Sequence, residues 1–431
     1  MTALTLPVNS FPHLIIVGGG FAGIELVKHL SGKPIRVTLL DRNNYHTFQP
    51  LLYQVASGGL GPDAIAYPLR KLIGPMTNIV FRMAEVQRVD TLNKEVITDI
   101  GRFGFDFLCL ANGAQTNFFG NKELERNCLT LKSIPEALDL RSQILQEFEK
   151  AINKQQADGE MPELNFVVVG GGPTGVETAG ALAEIRKNVL PSDYRELKAN
   201  AMKVHIIEAA PRLLSAMQVA SSSAAFRSLQ QLGVDVRLNT SVQAYDRDSG
   251  LLTLSNGEVM QTNTVIWSAG VKGNILEGFP SEIIGRGNRY RVNAFNQLEG
   301  LPNAFVIGDV ALMHEDPAYP QGHPMVAPVA IQQAHLFAKN IMRLIEGKPM
   351  KAFSYFDKGS MATVGRHRAV FESFGIRLHG FLAWWGWMFL HLMLLVGYRN
   401  RLIVFVNWMW NYFTYQRAIR IIIRKYVPKP E

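Results

Sequence analysis

The chain has 431 residues, 47% apolar and 19% charged, which allows a large buried core, excludes global disorder and suggests two or three domains. Its two cysteines, Cys109 and Cys128, form neither a metal pattern nor a C-x-x-C redox pair. The net charge of +8 is uneven: from Ser373 onward eight Lys/Arg meet one acid, Glu431, for +7, while the body before it is nearly neutral at +1. A basic, aromatic end on a neutral globule points to a membrane surface rather than to nucleic acid.

Met1 to Pro12 has neither a basic start nor an apolar run, so no secretory signal is expected and a reducing, cytoplasmic setting fits. Leu14–Val17 reads as a buried parallel strand. Gly18, Gly20 and Gly23 follow at the spacing of a dinucleotide-binding turn, whose helix start binds phosphate. The next strand, Arg36–Arg42, contains Asp41, 23 residues after Gly18, near the offset of an acid that binds an adenosine ribose. The alternative is a structural turn with a capping aspartate. Asn43–Tyr53 is expected as a loop over a cofactor followed by a helical piece, and Ile79–Val89 as one strand. Phe105–Ala111 is a further strand that places Cys109 in the core.

The polar, charged interval Arg141–Pro162 is the first expected domain boundary. The opening pattern then returns about 150 residues on: Asn165–Val169 is a strand, with Gly170, Gly172 and Gly175 behind it. Lys203–Glu208 again ends in an acid, 38 residues after Gly170, the longer offset being explained by an insert at Asn188–Tyr194. An acid there favours a free ribose 2′-hydroxyl, hence NADH over NADPH, although Arg212 nearby argues slightly the other way. Val265–Gly270 closes this second unit. Ala304–Val310 is a strand ending at Gly308-Asp309, where the aspartate either caps a turn or receives a flavin ribitol hydroxyl. A helix over Val326–Arg343 follows.

Phe381–Tyr398 is an 18-residue apolar stretch containing one ionisable group, His391. At ~1.5 Å per residue it reaches about 27 Å, just short of a ~30 Å bilayer core, which leaves a transmembrane helix open, although Trp384, Trp385 and Trp387 suit an interface better than a bilayer centre. Tyr415–Val427 is expected as a basic amphipathic helix, with Ile419, Ile422, Ile423 and Tyr426 on one face and Arg417, Arg420 and Arg424 on the other. The alternative is a helix docked on the protein's own core or on a dimer mate.

Two nucleotide sites without a metal cluster or a dithiol fit hydride transfer, which needs a nicotinamide held against a flavin rather than a catalytic nucleophile. The first site is expected to hold FAD and the second NADH. The stretches Gly18-Gly-Gly-Phe-Ala-Gly23, Phe48-Gln-Pro-Leu-Leu-Tyr53, Gly170-Gly-Gly-Pro-Thr-Gly-Val-Glu177 and Val306-Ile-Gly-Asp309, with the basic tail, resemble type II NADH dehydrogenase, a family of single-chain, non-proton-pumping NADH:quinone oxidoreductases. The resemblance runs over essentially the whole chain.

It implies an α/β fold with two Rossmann-like, glutathione-reductase-like dinucleotide-binding domains, the second inserted in the first, and C-terminal amphipathic membrane-anchoring helices. The expected bounds are 1–150 and 286–345 for FAD, 160–285 for NADH and 346–431 for the anchor. Carried over by resemblance, FAD would be bound by Gly18, Gly20, Phe21, Ala22, Gly23, Asp41, Arg42, Val86, Gly113, Gly308, Asp309, Ala327, Pro328 and Val329. NADH would be bound by Gly170, Gly172, Gly175, Glu208 and Gly270. Glu177, Gln332 and Lys358 would serve the chemistry, Glu177 supplying a proton to the quinone. Pro328 departs from the family's Ala-Gln-x-x-x-Gln pattern. Proline suits a first helical turn, so the helix should survive, but one side-chain amide that would touch the quinone is missing. The implied partners are NADH, a membrane quinone and the bilayer surface at the cytoplasmic face, with a homodimer left open and no metal. A sulfide-linked or ferredoxin-type reductase, or a flavin-bound scaffold without turnover, are the competing readings.

Overall fold

The computed structural model describes residues 10–159, 162–414, 419–422 and 425–427. By internal contacts the chain forms two units. Unit one comprises Met1–His46, Tyr67–Gln115 and Val271–Asp357; unit two comprises Thr47–Ala66, Thr116–Gly270 and Lys358–Glu431. In chain order, unit one supplies β1 (His13–Val17), α1 (Phe21–Leu30), β2 (Arg36–Asp41), β3 (Ile79–Met83) and β4 (Phe107–Leu110). Unit two follows with α2 (Ile134–Asp158), β5 (Leu164–Val169), α3 (Pro173–Glu184), β6 (Met202–Ile207), β7 (Asp235–Arg237) and β8 (Thr264–Trp267). The chain returns to unit one for β9 (Leu301–Val306) and α4 (Ala327–Ile345). It ends in unit two with β10 (Ser360–Gly365), β11 (Arg368–Ser373), β12 (Ile376–His379), α5 (Phe381–Leu394) and α6 (Tyr398–Thr414).

In unit one, five strands run parallel in the order β9-β4-β1-β2-β3, with Ile15 opposite Thr38 and Leu108. Every residue of β1 is buried, as a strand flanked by helices and neighbours on both sides requires. The connections leave β1 toward β2 on one side and return to β4 on the other, so the switch in strand order falls beside the end of β1. Unit two repeats the plan: β7-β6-β5-β8 are parallel, with Val167 opposite His205 and Val265. The two cores centre on Ile15, Leu40, Leu108 and Val306 in one unit and on Val167, Ile207, Val265 and Trp267 in the other.

Several expected elements differ. The interval taken for a linker is α2, a 25-residue helix begun by a Ser133–Glu136 capping box and closed by Gly159 in the left-handed conformation at φ 74°. Its charges mark a solvated helical face, so the expected boundary at 150 falls inside a helix, and the one at 285 falls at the end of the short strand Ile284–Gly285. Contacts change units at 115/116 and 270/271 instead. Ile79–Val89 is two strands in two sheets: β3, and Val86–Asp90, which joins a small antiparallel sheet with Glu95–Thr98 and Gly101–Gly104. The insert near Asn188 is a π-turn, Ile185–Val189, running into a short helix, Leu190–Asp193.

The tail does not form one 18-residue span. It breaks at Leu395–Gly397, with Gly397 at φ 87°, into α5 and α6, and no helix among the described residues is long and apolar enough to cross a membrane. Of the amphipathic helix expected over 415–427, residues 415–418 and 423–424 lie outside the described residues; 419–422 and 425–427 are not helical. Ile419 donates its N–H to Gly58 O at 3.3 Å, and Arg420 pairs with Asp193 at 2.8 Å. These residues are held by unit two itself. The apolar surface lies instead on α5 and α6. Ala383, Trp387, Met388 and His391 are buried while Leu382, Trp385, Phe389 and Met393 are exposed; on α6, Asn400, Val404 and Trp408 are buried while Leu402, Phe405, Trp410 and Phe413 are exposed.

Candidate dinucleotide and acceptor sites

The turn after β1 is shaped by what side chains would strike. Gly18 has φ +106°, and a Cβ on it would stand 2.5 Å from Ala111 O. A Cβ on Gly23 would stand 1.9 Å from Gly18 O, so α1 can approach the strand only without one. Gly20, the N-cap of α1, meets nothing within 4 Å and receives no side-chain cap. That combination leaves a helix start open to an anion. Asp41 closes the turn: its Oδ2 accepts the Gly19 N–H at 2.6 Å and its Oδ1 the Asn43 N–H at 2.7 Å. Burial raises its pKa, while these bonds and Arg42 oppose the rise.

The other unit-one candidates sit at the same sheet edge. Gly18 follows β1, Asp41 ends β2, Val86 lies three residues past β3, Gly113 three past β4, and Gly308-Asp309 two and three past β9. The Gly308 turn packs between two helix starts: its Cβ position is 3.6 Å from the Ala22 methyl on α1 and 3.4 Å from the Ala330 methyl on α4. Pro328 sits in the first turn of α4, which forms as expected. Ala327 and Pro328 are half-buried and Val329 is buried. Arg42 is exposed.

Two supports had no sequence signal of their own. Gln333, on α4 and buried, accepts the Gly308 N–H at 2.7 Å. His46 lies edge-on to Phe21 and bonds Gly19 O through Nδ1 at 3.1 Å; as the acceptor is a carbonyl, Nδ1 carries the proton. Burial lowers its pKa to about 4, so it is neutral, and its Nε2 is buried without a partner. Gln332 is engaged at both ends of its amide: Nε2 donates to Phe356 O at 2.9 Å and Oε1 accepts the Phe356 N–H at 3.1 Å. Its visible work is to hold the segment entering Lys358, which is exposed.

Unit two rebuilds the same turn. Gly170 has φ +109°, a Cβ on Gly175 would stand 1.8 Å from Gly170 O, and Gly172 is open and uncapped. Glu208 accepts the Gly171 N–H and, at 2.7 Å, the Ala210 N–H. Gly270 follows β8, and its carbonyl accepts the Asn117 N–H at 3.0 Å. Arg212 donates to Met217 O and Ser215 O, both at 2.7 Å.

One turn further along α3 the chemistry changes. Glu177 is buried and lines a cavity of about 130 Å³ with Gln54, Glu184, Thr363, Trp387 and Trp408 among its walls. Desolvation raises its pKa to about 8; the Thr363 N–H, at 3.4 Å from Oε1, and the Trp387 indole pull it down less strongly. Trp408 donates to Gln54 Oε1 at 2.7 Å, and Gln54 donates to Tyr53 Oη at 2.9 Å. Helix α3 reaches this place because position 180 is glycine: a Cβ there would stand 2.1 Å from Val364 O on β10.

The match to known proteins follows this geometry. Residues 12–334 match the family model of pyridine nucleotide-disulphide oxidoreductases and residues 358–415 that of the NDH2 C-terminal domain. A type II NADH:quinone oxidoreductase of Mycobacterium tuberculosis is 33% identical over 418 residues, 94% of this chain and 89% of that one. A second enzyme of that description from the same organism is 35% identical over 411 residues, 92% of this chain and 86% of that one. The chain belongs to the type II NADH:quinone oxidoreductases.

The solved structure of NDH2 from Plasmodium falciparum in complex with NADH shares the fold, with a TM-score of 0.85 at 21% identity, covering 96% of this chain and all of that one. As a type II NADH:quinone oxidoreductase the chain takes FAD as its cofactor and NADH as its substrate. Unit one fits the flavin nucleotide: the open cradle at Gly20, the uncapped start of α1 and the unpartnered Nε2 of His46 are groups that a polar ligand completes. Both cysteines are buried, and burial pushes their thiols well above the ordinary range. That removes the reactive thiols a sulfide-linked relative needs.

Proposed function

We propose that NADH is bound at the Gly170 turn, that FAD is held at the Gly18 turn, and that a membrane quinone is reduced at the Glu177 cavity with Glu177 as its proton donor. Bound FAD supplies a two-electron centre that accepts a hydride from NADH and passes electrons to a quinone. The residues do the rest. The open N–H groups at the starts of α1 and α3, with their dipoles, bind the two pyrophosphates. Asp41 and Glu208 keep lone pairs for ribose hydroxyls beyond those used on the turns. Asp309 receives a ribitol hydroxyl. The acid Glu208 supports NADH over NADPH, since a 2′-phosphate would meet like charge, and the Arg212 guanidinium is directed to the Met217 and Ser215 carbonyls.

The observation that carries the acceptor reading is a buried carboxyl, Glu177, lining a partly open cavity of about 130 Å³, where desolvation raises its pKa to about 8. A carboxyl group with a pKa of about 8 holds its proton at pH 7 and can yield it to a developing quinol oxygen. The Glu177→Gln variant is expected to keep FAD and its bleaching by NADH, and to lose about tenfold or more in quinone turnover. In the wild type that turnover falls as pH rises through about 8; the variant lacks this limb. Equal turnover and equal pH profiles remove Glu177 from the mechanism.

The exposed apolar faces of α5 and α6 support seating on the bilayer at the cytoplasmic side, where NADH is available and a lipid-soluble quinone can enter. His391 is held neutral, its pKa lowered to about 4 by burial, which keeps α5 apolar. The Phe389→Glu/Phe405→Glu double variant is expected to float free of vesicles while still reducing a water-soluble acceptor with NADH. Undiminished vesicle binding overturns the seating; a shift from dimer to monomer without loss of vesicle binding assigns the face to a second copy instead.

A further inference from the structure

Two histidines and a glutamate, none of them given a role above, come together in unit one. Glu25 and His29 stand one turn apart on α1, and His335 comes from α4, 310 residues from Glu25 in sequence. Their ligand atoms all lie within 4.8 Å of one another. The rings of His29 and His335 lie 4.1 Å apart between centroids, and His335 Nε2 is 3.4 Å from Glu25 Oε2.

The local bonding suits a cation. His29 Nδ1 lies 2.8 Å from the Glu25 carbonyl, so Nδ1 carries the proton and Nε2 keeps its lone pair, the arrangement usual for a ligating imidazole. Lys28 holds Glu25 Oε1 at 2.6 Å, which leaves Oε2 toward the histidines.

We propose that Glu25, His29 and His335 form a binding site for a divalent transition-metal ion of the zinc class, with water in the fourth position. Two imidazoles and one carboxylate suit zinc, nickel or copper rather than magnesium or calcium. Bonds of about 2.0–2.1 Å put tetrahedral ligands about 3.4 Å apart, so the side chains must draw in by roughly an ångström. The His335 side chain, 43% exposed, and the exposed His29 have room to do so. The Lys28 ammonium opposes the incoming charge and keeps the affinity moderate. The ion joins α1 to α4. Because both helices begin at candidate flavin segments, a bound ion is also expected to slow FAD release; this consequence rests on the FAD reading, whereas metal binding itself does not.

Calorimetric titration of the FAD-loaded full chain with zinc chloride is expected to show one site with a Kd of about 1–10 µM. His29→Gln and His335→Gln should each weaken it about tenfold or more, and Lys28→Met should tighten it. His335→Gln should leave metal-free NADH–quinone turnover unchanged. Cobalt in place of zinc should give the visible absorption of a four-coordinate N/O site, lost in His335→Gln. No binding up to about 100 µM, or equal binding in His335→Gln, overturns the proposal. A site that binds zinc without slowing FAD release overturns the link to the flavin and retains the metal site.

Discussion

The Gly18 turn and the Gly170 turn are nearly the same object in different surroundings. Their first glycines have φ +106° and +109°, their middle glycines face open space, and each has a carboxylate, Asp41 or Glu208, accepting the N–H of the residue after the first glycine. What differs is what gathers around them. The first is met by a second helix start, α4, packed through the Gly308 turn, and by the buried supports His46 and Gln333. The second is flanked by the Gly270 turn, and its helix runs on to Glu177. On the proposed assignment, the same phosphate cradle would serve a resident cofactor in the first setting and an exchangeable substrate in the second, and retention would then be set by the surroundings rather than by the glycine motif.

The sharpest way to break that comparison is to damage both turns alike. Gly23→Ala and Gly175→Ala put a methyl at the same close contact, 1.9 and 1.8 Å from the first glycine's carbonyl. Gly23→Ala is expected to give colourless protein with most FAD lost. Gly175→Ala should stay yellow and raise the KM for NADH about tenfold or more, a cost of about 1.4 kcal/mol or greater. Loss of FAD in both, or in neither, would show that the surroundings do not set retention.

A smaller effect sharpens the difference. Glu208→Gln leaves one backbone N–H facing an amide rather than an oxygen, which costs about 1–2 kcal/mol. It should raise the KM for NADH several-fold and narrow the preference over NADPH, measured by steady-state rates. Asp41→Asn should lower FAD occupancy only partly if, as proposed, α4 and the Gly308 turn also hold the nucleotide.

The smallest effect is on stability. Folding raises the pKa of Glu177 from about 4.5 to about 8, so the folded state binds more protons across that window and loses stability as pH rises through it. His46 and His391, lowered from 6.5 to about 4, lose stability in the opposite direction as pH falls below 6.5. Between pH 6.5 and 8 Glu177 acts alone among the three. The unfolding free energy of the wild type should fall across that interval by at most about 1.4 kcal/mol per pH unit, read as a falling melting temperature, and Glu177→Gln should be flat by comparison.

Both turns are readable from the chain because each depends on residues within a few positions, and the acid after the second strand follows from strand length. The misreadings have one cause: a one-dimensional pattern does not say what lies opposite. The charges of Arg141–Pro162 resemble a linker until the Ser133 capping box and a partly buried face make them a helix. Ile79–Val89 alternates throughout, yet the chain leaves one sheet and enters another at Ala84-Glu85. Ile419 and Arg420 fit a lipid-facing helix until Gly58 and Asp193 take them. Gln333, His46 and the Glu25–His29–His335 cluster depend on partners tens to hundreds of residues away.

Gly180 leaves α3 no slack. With Val364 O already 2.1 Å from where a Cβ would sit, an alanine there acts as a wedge: reaching an ordinary separation of 3.4 Å means sliding α3 by about 1.3 Å. The nucleotide turn at one end of that rod and the acid along it would shift together. One methyl group, a turn beyond Glu177 on the same helix, is thus expected to disturb the proposed substrate turn and the proposed proton donor in a single stroke.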